Sequence, residues 1–172
     1  MDCYISGEDV VIDACKEWVE EFVLKHNLCP FAHPFVRNGW VEYRVSVQVE
    51  LEDRIMDFLS VLDELDEDDS PKTMLLIYDD PQLDFDAYLD FYELCEVSLE
   101  KENRAYQLAS FHPNYCFADE QYDDPANLSN RSPYPMIHIL RLEDVAQAVD
   151  AHKDPHGIPR RNISYLREHF SS

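Results

Sequence analysis

The apolar positions along the chain change from a helical period to a two-residue period and back. Near the N-terminus they recur every three or four residues, which predicts an amphipathic first helix that ends near Asn27. Ser6 and Asp9 form a weak capping signature at its start. Strict alternation from Val41 to Val49 then predicts a strand with one polar face.

A helix, a strand and another helix are predicted next. Apolar residues from Leu51 to Leu65 have the helical period, and the acidic segment 66–71 interrupts it with a polar turn. The segment from Thr73 to Tyr78 is continuously apolar, which is typical of a central strand covered on both faces. Asp84 is positioned to cap a third helix that continues to about Leu99.

The remaining pattern completes the predicted fold. Two more strands are expected at Ala105–Phe111 and Pro135–Leu140, followed by a short helix and a last helix that begins near Pro159. We therefore expect a single domain over residues 1–172 of the α+β class. It would be a two-layer sandwich in which helices pack mainly on one face of a mixed four- to five-stranded sheet. The half-polar first strand suggests an edge or a face open to water.

Charge and composition narrow the possible partners. The chain has 36 acidic and 14 basic side chains, a formal net charge of −22, which repels phosphate backbones and anionic lipid headgroups. We therefore expect neither nucleic-acid nor membrane binding. The first ten residues lack the apolar region of a secretory signal, and five cysteines without a CxxC pair favour free thiols in the cytoplasm. Three scattered glycines exclude a glycine-rich phosphate loop.

The segment from Phe111 to Pro135 has no hydrophobic period, and long connections of this kind are often functional. Its prolines predict a rigid loop. The planar guanidinium of Arg131, flanked by Asn130 and Ser132, suits bidentate capture of a carboxylate or phosphate. Alternatively, Arg131 pairs with a local carboxylate such as Asp124 and holds the loop in place.

Two histidines lie at the ends of this loop. His112 follows the third predicted strand and His138 lies inside the fourth, so antiparallel pairing could bring both imidazoles to one surface. There they could act as acid and base or share a metal ion. The alternative, favoured for His138, is a buried histidine with satisfied hydrogen bonds.

Cys29 directly follows the first predicted helix. A helix C-terminus raises a thiol pKa, so an activated thiolate would need a nearby cation such as Arg37 or Arg131, or a metal ion. A metal ligand and an inert buried thiol are the other two interpretations. The main basic cluster, Arg160-Arg161 and its neighbours, either offsets the acidic face or meets an anion at the start of the last helix.

Three strings of residues resemble, in this order, the family catalogued as Domain of Unknown Function 1415. They are Asn27-Leu28-Cys29-Pro30-Phe31-Ala32, Ser110-Phe111-His112-Pro113, and Asn130-Arg131-Ser132-Pro133-Tyr134-Pro135 followed by His138. The resemblance extends from about Ala14 to Leu166. It implies a soluble protein of about this length, and it supplies no activity, cofactor or substrate.

Three functional hypotheses follow. The first is an enzyme or binding protein for a small anionic molecule. Its catalytic candidates are His112, Cys29 and His138. Its ligand-binding candidates are Arg131, Asn130, Ser132 and Tyr134. The second is a mononuclear zinc or iron site that uses Cys29, His112 and His138. The third is an acidic interaction module whose face over residues 51–124 binds a basic partner. The sequence specifies no cofactor and no oligomeric state.

Overall fold

The computed structural model describes residues 7–171, so Ser6 and Cys3 lie outside it. The helices are α1 (Gly7–Trp18), α2 (Ala32–Arg37), α3 (Leu51–Asp66), α4 (Phe85–Glu102), α5 (Leu142–Ala151) and α6 (Ile158–Phe170). The strands are β1 (Val41–Ser46), β2 (Thr73–Tyr78), β3 (Tyr106–Phe111) and β4 (Met136–Arg141). A π-helical segment (Val19–Leu24) extends α1, and Pro125–Ser129 and Pro155–Gly157 form 3₁₀ turns. Within the described chain, no helix has the length and apolar character needed to cross a membrane.

The strands form one open sheet in the order β1-β2-β4-β3. β1 and β2 are parallel and are joined through α3, whereas β4 is antiparallel to both of its neighbours. The α+β class and the mixed four-stranded sheet are therefore confirmed. β1 lies at one edge of the sheet, as its half-polar pattern suggested, and β3 lies at the other.

Apolar side chains cover both faces of the sheet. On one face, called here the first face, Leu76 and Tyr78 belong to a buried cluster with residues of α3 and α4. On the opposite or second face, Leu75 and Ile77 pack with Cys15 of α1. Helices thus pack on both faces rather than mainly on one. The cause is β2, which is apolar at nearly every position and is buried throughout.

Two element ends differ from the predicted boundaries. The first helix is α-helical only to Trp18 and π-helical beyond it, and Asn27 then takes a left-handed conformation with φ 50°. β1 ends at Ser46 instead of Val49, because its partner β2 ends at Tyr78, which is opposite Ser46 in the register. By contrast, the predicted cap at Asp84 is confirmed, since its carboxylate accepts the backbone N–H of Ala87 at 2.9 Å.

Candidate functional site

His112 is buried directly after β3, and both of its ring nitrogens are hydrogen-bonded to the protein. Nε2 donates to the carbonyl of Leu83 at 2.9 Å, and Nδ1 accepts the backbone N–H of Asn114 at 3.0 Å. The ring packs against Phe85 and Tyr88, with centroids 5.3 and 5.2 Å away. Burial lowers the pKa of this imidazole. His112 is therefore a neutral side chain with no nitrogen left to exchange a proton.

The hydroxyl of Tyr88 lies beside His112 and connects the ends of two strands. It donates to the carbonyl of Met136 at 2.8 Å and accepts the backbone N–H of Phe111 at 2.9 Å. Phe111 and Met136 are opposite each other in the register, so the hydroxyl bridges the last pair of β3 and β4. The apolar period predicts Tyr88 only as a helical residue, because nothing in an amphipathic pattern distinguishes a bridging tyrosine from any other core aromatic.

The polar side chains of the loop after His112 bind mainly to nearby backbone. Asn130 donates from Nδ2 to the carbonyl of Ser110 at 3.0 Å, and its own carbonyl accepts the N–H of His112 at 3.1 Å. The Ser132 hydroxyl donates to the carbonyl of Tyr134 at 2.6 Å. The Tyr134 side chain packs against the buried cluster of the second face. These three predicted ligand-binding residues thus hold the loop in shape.

Arg131 has the same kind of environment. Its Nε donates to the carbonyl of Tyr115 at 3.0 Å and its Nη2 to the carbonyl of Tyr122 at 2.6 Å, with the guanidinium 4.5 Å from the Tyr122 ring centroid. The expected local partner Asp124 instead pairs with Arg167 at 3.0 Å. Arg131 therefore holds the loop as the alternative interpretation proposed, but it does so through carbonyl oxygens and not through a carboxylate.

The two predicted catalytic histidines lie on opposite faces of the sheet. β3 and β4 pair antiparallel as expected, but His138 is opposite Ala109 and shares the second face with Met136. His112 continues the alternation of Leu108 toward the first face, where its aromatic neighbours are. The expectation that pairing brings both imidazoles to one surface is wrong, because the register separates them by an odd number of residues.

His138 makes a hydrogen bond within its own face. Its Nε2 is 2.6 Å from Oγ1 of Thr73, and this hydroxyl donates to the carbonyl of Ile139 at 3.0 Å. Burial lowers the pKa of His138 to about 4, so the ring is neutral near pH 7. Over residues 7–171, no three histidine, cysteine, aspartate or glutamate side chains are grouped so that they could hold a metal ion, and the set of Cys29, His112 and His138 is thus not brought together.

Cys29 lies in the turn formed by residues 27–31, called here the Cys29 turn, between the π-helical segment and α2. The backbone N–H of Ala32 donates to the carbonyl of Cys29 at 3.1 Å, and the N–H groups of Phe31 and Ala32 lie near the sulfur. Burial raises the pKa of this thiol, and the two N–H groups lower it by less. Cys29 is therefore a protonated thiol, one of four free cysteines in the described chain.

The first turns of α6 hold the Cys29 turn through its carbonyl oxygens. Asn162 donates from Nδ2 to the carbonyl of Leu28 at 2.7 Å. Arg161 donates from Nη1 to the carbonyl of Asn27 and from Nη2 to that of His26, the latter at 3.3 Å. The thiol turn and the basic cluster, which are far apart in sequence, are thus neighbours. Both are visible in the sequence as candidates, but no pattern in the sequence connects them.

Positive charge near the Cys29 turn is not neutralised by ion pairs. Among the described residues, Arg37, Arg160 and Arg161 form no ion pair, whereas four other arginines each bind one or more carboxylates: Arg44, Arg54, Arg104 and Arg167. His152 packs edge-on against Phe31, with ring centroids 5.7 Å apart. An otherwise acidic protein therefore has a cationic surface at this turn.

A small hollow of about 240 Å³ borders α2, which follows the Cys29 turn. Its lining combines three apolar side chains, Leu24, Pro34 and Val36, with the basic side chains of His33 and Arg37. The lining suits a molecule that has both an apolar part and a negative charge. His33 and Arg37 come shortly after Cys29 in the sequence, but their grouping with Leu24 depends on the fold of the turn.

Together, the fold and these contacts define an α+β protein in which a thiol-containing turn is bound by the basic start of its last helix. The chain belongs to the family described as "Protein of unknown function (DUF1415)", whose model matches residues 10–171. None of the curated proteins compared with the chain matches it, and none of the solved structures does. The family match confirms the resemblance seen in the three strings of residues and assigns no activity.

Proposed function

We propose that this protein binds a small organic anion, a carboxylate or a phosphate, at the Cys29 turn and the start of α6. The ligand class is the one expected from the sequence. The cations assigned to the ligand are instead Arg160 and Arg161, because both are exposed, whereas Arg131 is half-buried and its guanidinium lies 4.5 Å from the Tyr122 ring centroid. The observation that carries the proposal is the pair Arg160 and Arg161, two adjacent exposed cations beside the Cys29 turn that form no ion pair among residues 7–171.

The start of α6 favours a negative charge for two reasons. A helix N-terminus has unpaired N–H groups and a positive end of the helix dipole. α6 has Pro159 at its beginning and no acidic residue in its first turn, although the carboxylate of Asp154 just before it accepts the N–H of Gly157 at 3.0 Å. Arg160 and Arg161 add two full positive charges there, and both are exposed. An anion would thus meet charge and dipole together.

The protonated state of Cys29 is compatible with this role. Burial raises the pKa of the thiol, and a protonated S–H is a weak hydrogen-bond donor that an anion can accept. A neutral thiol also avoids the repulsion that a thiolate would exert on an anion. We assign binding and no reaction, because His112 has both nitrogens hydrogen-bonded and His138 lies on β4 with Thr73 as its partner.

The proposal is tested by thermal unfolding in the presence of inorganic phosphate and a set of small carboxylates. We expect at least one of these anions to raise the melting temperature of the wild type. The double variant Arg160→Gln, Arg161→Gln should lose this response. Arg167→Gln is the matched control, since it removes one positive charge from the far end of the same helix, where Glu120 and Asp124 pair with it.

Two results would contradict the proposal. One is a wild type whose melting temperature responds to none of the anions. The other is a double variant that responds like the wild type, because the anion would then bind elsewhere. Cys29→Ser separates the thiol from the cations, and we expect it to weaken the response without removing it.

A further inference from the structure

The outer edge of β1 has backbone groups without partners. The carbonyls of Trp40 and Ser46 accept N–H groups of β2 and of the residue after it, so the even-numbered residues of β1 bond to the sheet. The backbone groups of Val41, Tyr43 and Val45 consequently point away from β2. Within residues 7–171, no hydrogen bond reaches these outward groups.

Exposed apolar side chains continue this edge beyond the end of β1. Val47 is 71% exposed, Val49 is 60% exposed and Leu51, the first residue of α3, is 45% exposed. Glu50 between them has an extended backbone, with φ −77° and ψ 140°. Val47 and Val49 thus alternate along an irregular segment that no described element covers, and the chain bends at Glu50 before α3 begins. Monomeric proteins seldom leave such a run exposed beside an open strand edge.

Carboxylates flank the same edge on both faces of the sheet. On the second face, burial raises the pKa of Tyr43 to about 12, and the charge of Glu20 in the π-helical segment adds to the shift. On the first face, Glu64 of α3 binds Arg44 of β1, and Asp57 of the same helix adds to the raised pKa of that guanidinium. Lys16 also lies 5.6 Å from the Tyr43 ring centroid, so a strand placed beside β1 would meet side chains of both signs within a protein whose net charge is −22.

The opposite edge of the sheet is better protected. At the end of β3, the carbonyl of Ser110 accepts the side-chain amide of Asn130, and the N–H of His112 donates to the Asn130 carbonyl. The loop thus occupies part of the β3 edge. β1 has no proline and pairs with β2 without interruption from Val41 to Ser46, so its edge keeps a regular geometry.

We propose that the outer edge of β1 is a docking site for an extended, positively charged segment of a partner protein, which adds a fifth strand beside β1 and contacts Val47 and Val49. Main-chain hydrogen bonds would supply affinity, and the net charge of −22 would favour a basic partner. A second copy of this chain is disfavoured as the occupant, because each copy has a net charge of −22.

The probe for this proposal is a blocked octapeptide of alternating lysine and valine, with the alternating glutamate and valine peptide as its control. Amide hydrogen exchange, followed by NMR, reports on each backbone N–H. We expect the lysine peptide to slow exchange at Val41, Tyr43 and Val45 by about tenfold or more. The amides of Glu42 and Arg44, already bonded to β2, should change little, and the glutamate peptide should have no effect.

Three variants distinguish the effect of charges beside β1 on peptide binding from the effect of the net charge of the protein. Glu20→Gln and Asp57→Asn each remove one negative charge beside β1, and each should weaken peptide binding several-fold. Asp90→Asn removes an equal charge from an exposed position on α4, away from this edge, and should leave the affinity within a factor of about two. None of these three side chains caps a helix or forms an ion pair within residues 7–171, so all three variants should fold.

Each other outcome overturns the proposal. Peptide binding that leaves the three β1 amides unprotected would place the peptide elsewhere. Slow exchange at these amides in the free protein would mean that the edge is already covered. In that case, dependence on protein concentration would identify a second copy as the occupant, and independence would identify a segment of the chain itself.

Discussion

The loop from His112 to Pro135 and the Cys29 turn both contain strings typical of the family, but they use their polar groups differently. In the loop, Asn130, Arg131 and Ser132 donate to backbone carbonyls of the loop and of the strand next to it. At the turn, the backbone is held from outside by Arg161, which is exposed together with Arg160, whereas Arg131 of the loop is half-buried. A high density of polar residues thus marks a rigid loop in one case and an open cationic surface in the other.

The largest effect that distinguishes the two regions is expected for His112→Ala. This change removes a buried ring that packs against Phe85 and Tyr88, and it leaves the carbonyl of Leu83 without its donor. The free energy of unfolding should fall by about 3–5 kcal/mol. Urea unfolding measures this, and His33→Ala, at an exposed position, should stay within about 0.5 kcal/mol. A cost below about 1 kcal/mol for His112→Ala would mean that His112 is not structural.

The next effect compares two buried tyrosines. Tyr88→Phe removes the hydroxyl that bridges Phe111 and Met136 and leaves both backbone groups unsatisfied, at a cost of about 2–3 kcal/mol. Tyr78 is also fully buried, but its hydroxyl has no partner among the described residues. Tyr78→Phe should therefore be neutral or stabilising. Equal losses of stability in both variants would show that the bridge at the end of β3 and β4 contributes nothing.

These contacts also explain how much of the fold and of the candidate site the sequence could predict. The hydrophobic period and the capping residues were sufficient to predict β2 over Thr73–Tyr78, the helix cap at Asp84 and the antiparallel pairing of β3 with β4. The positions of His112 and His138 on opposite faces depend on a register that periodicity does not specify. The contact of Arg161 with Asn27 joins residues 134 apart in sequence, and no local pattern contains it.

The pH dependence of the free energy of unfolding tests whether His138 is buried and neutral in the folded protein. His138 lies on β4, outside both regions. Its folded-state pKa of about 4 is below the ordinary value of about 6.5, so the unfolded chain binds this proton first as the pH falls. Stability from this residue is complete above about pH 6.5 and declines toward pH 4, by about 2 kcal/mol between pH 7 and pH 5. Urea unfolding across this range should show a shallower decline for His138→Gln. An unchanged decline in this variant would assign the effect to other groups.

The smallest loss of stability is expected for substitutions of Arg131. The response of these variants to anions decides whether the anion binds at the loop or at the Cys29 turn. Arg131→Ala removes two hydrogen bonds to partly exposed carbonyls and the contact with the Tyr122 ring, so the free energy of unfolding should fall by about 1 kcal/mol. Arg131→Lys keeps the charge but not the planar fork, and it should lose nearly as much. Both variants should keep the thermal response to anions, because the proposed site uses Arg160 and Arg161. If Arg131→Ala instead abolished this response and Arg131→Lys preserved it, the charge in the loop would bind the anion, and the assignment to the Cys29 turn would be wrong.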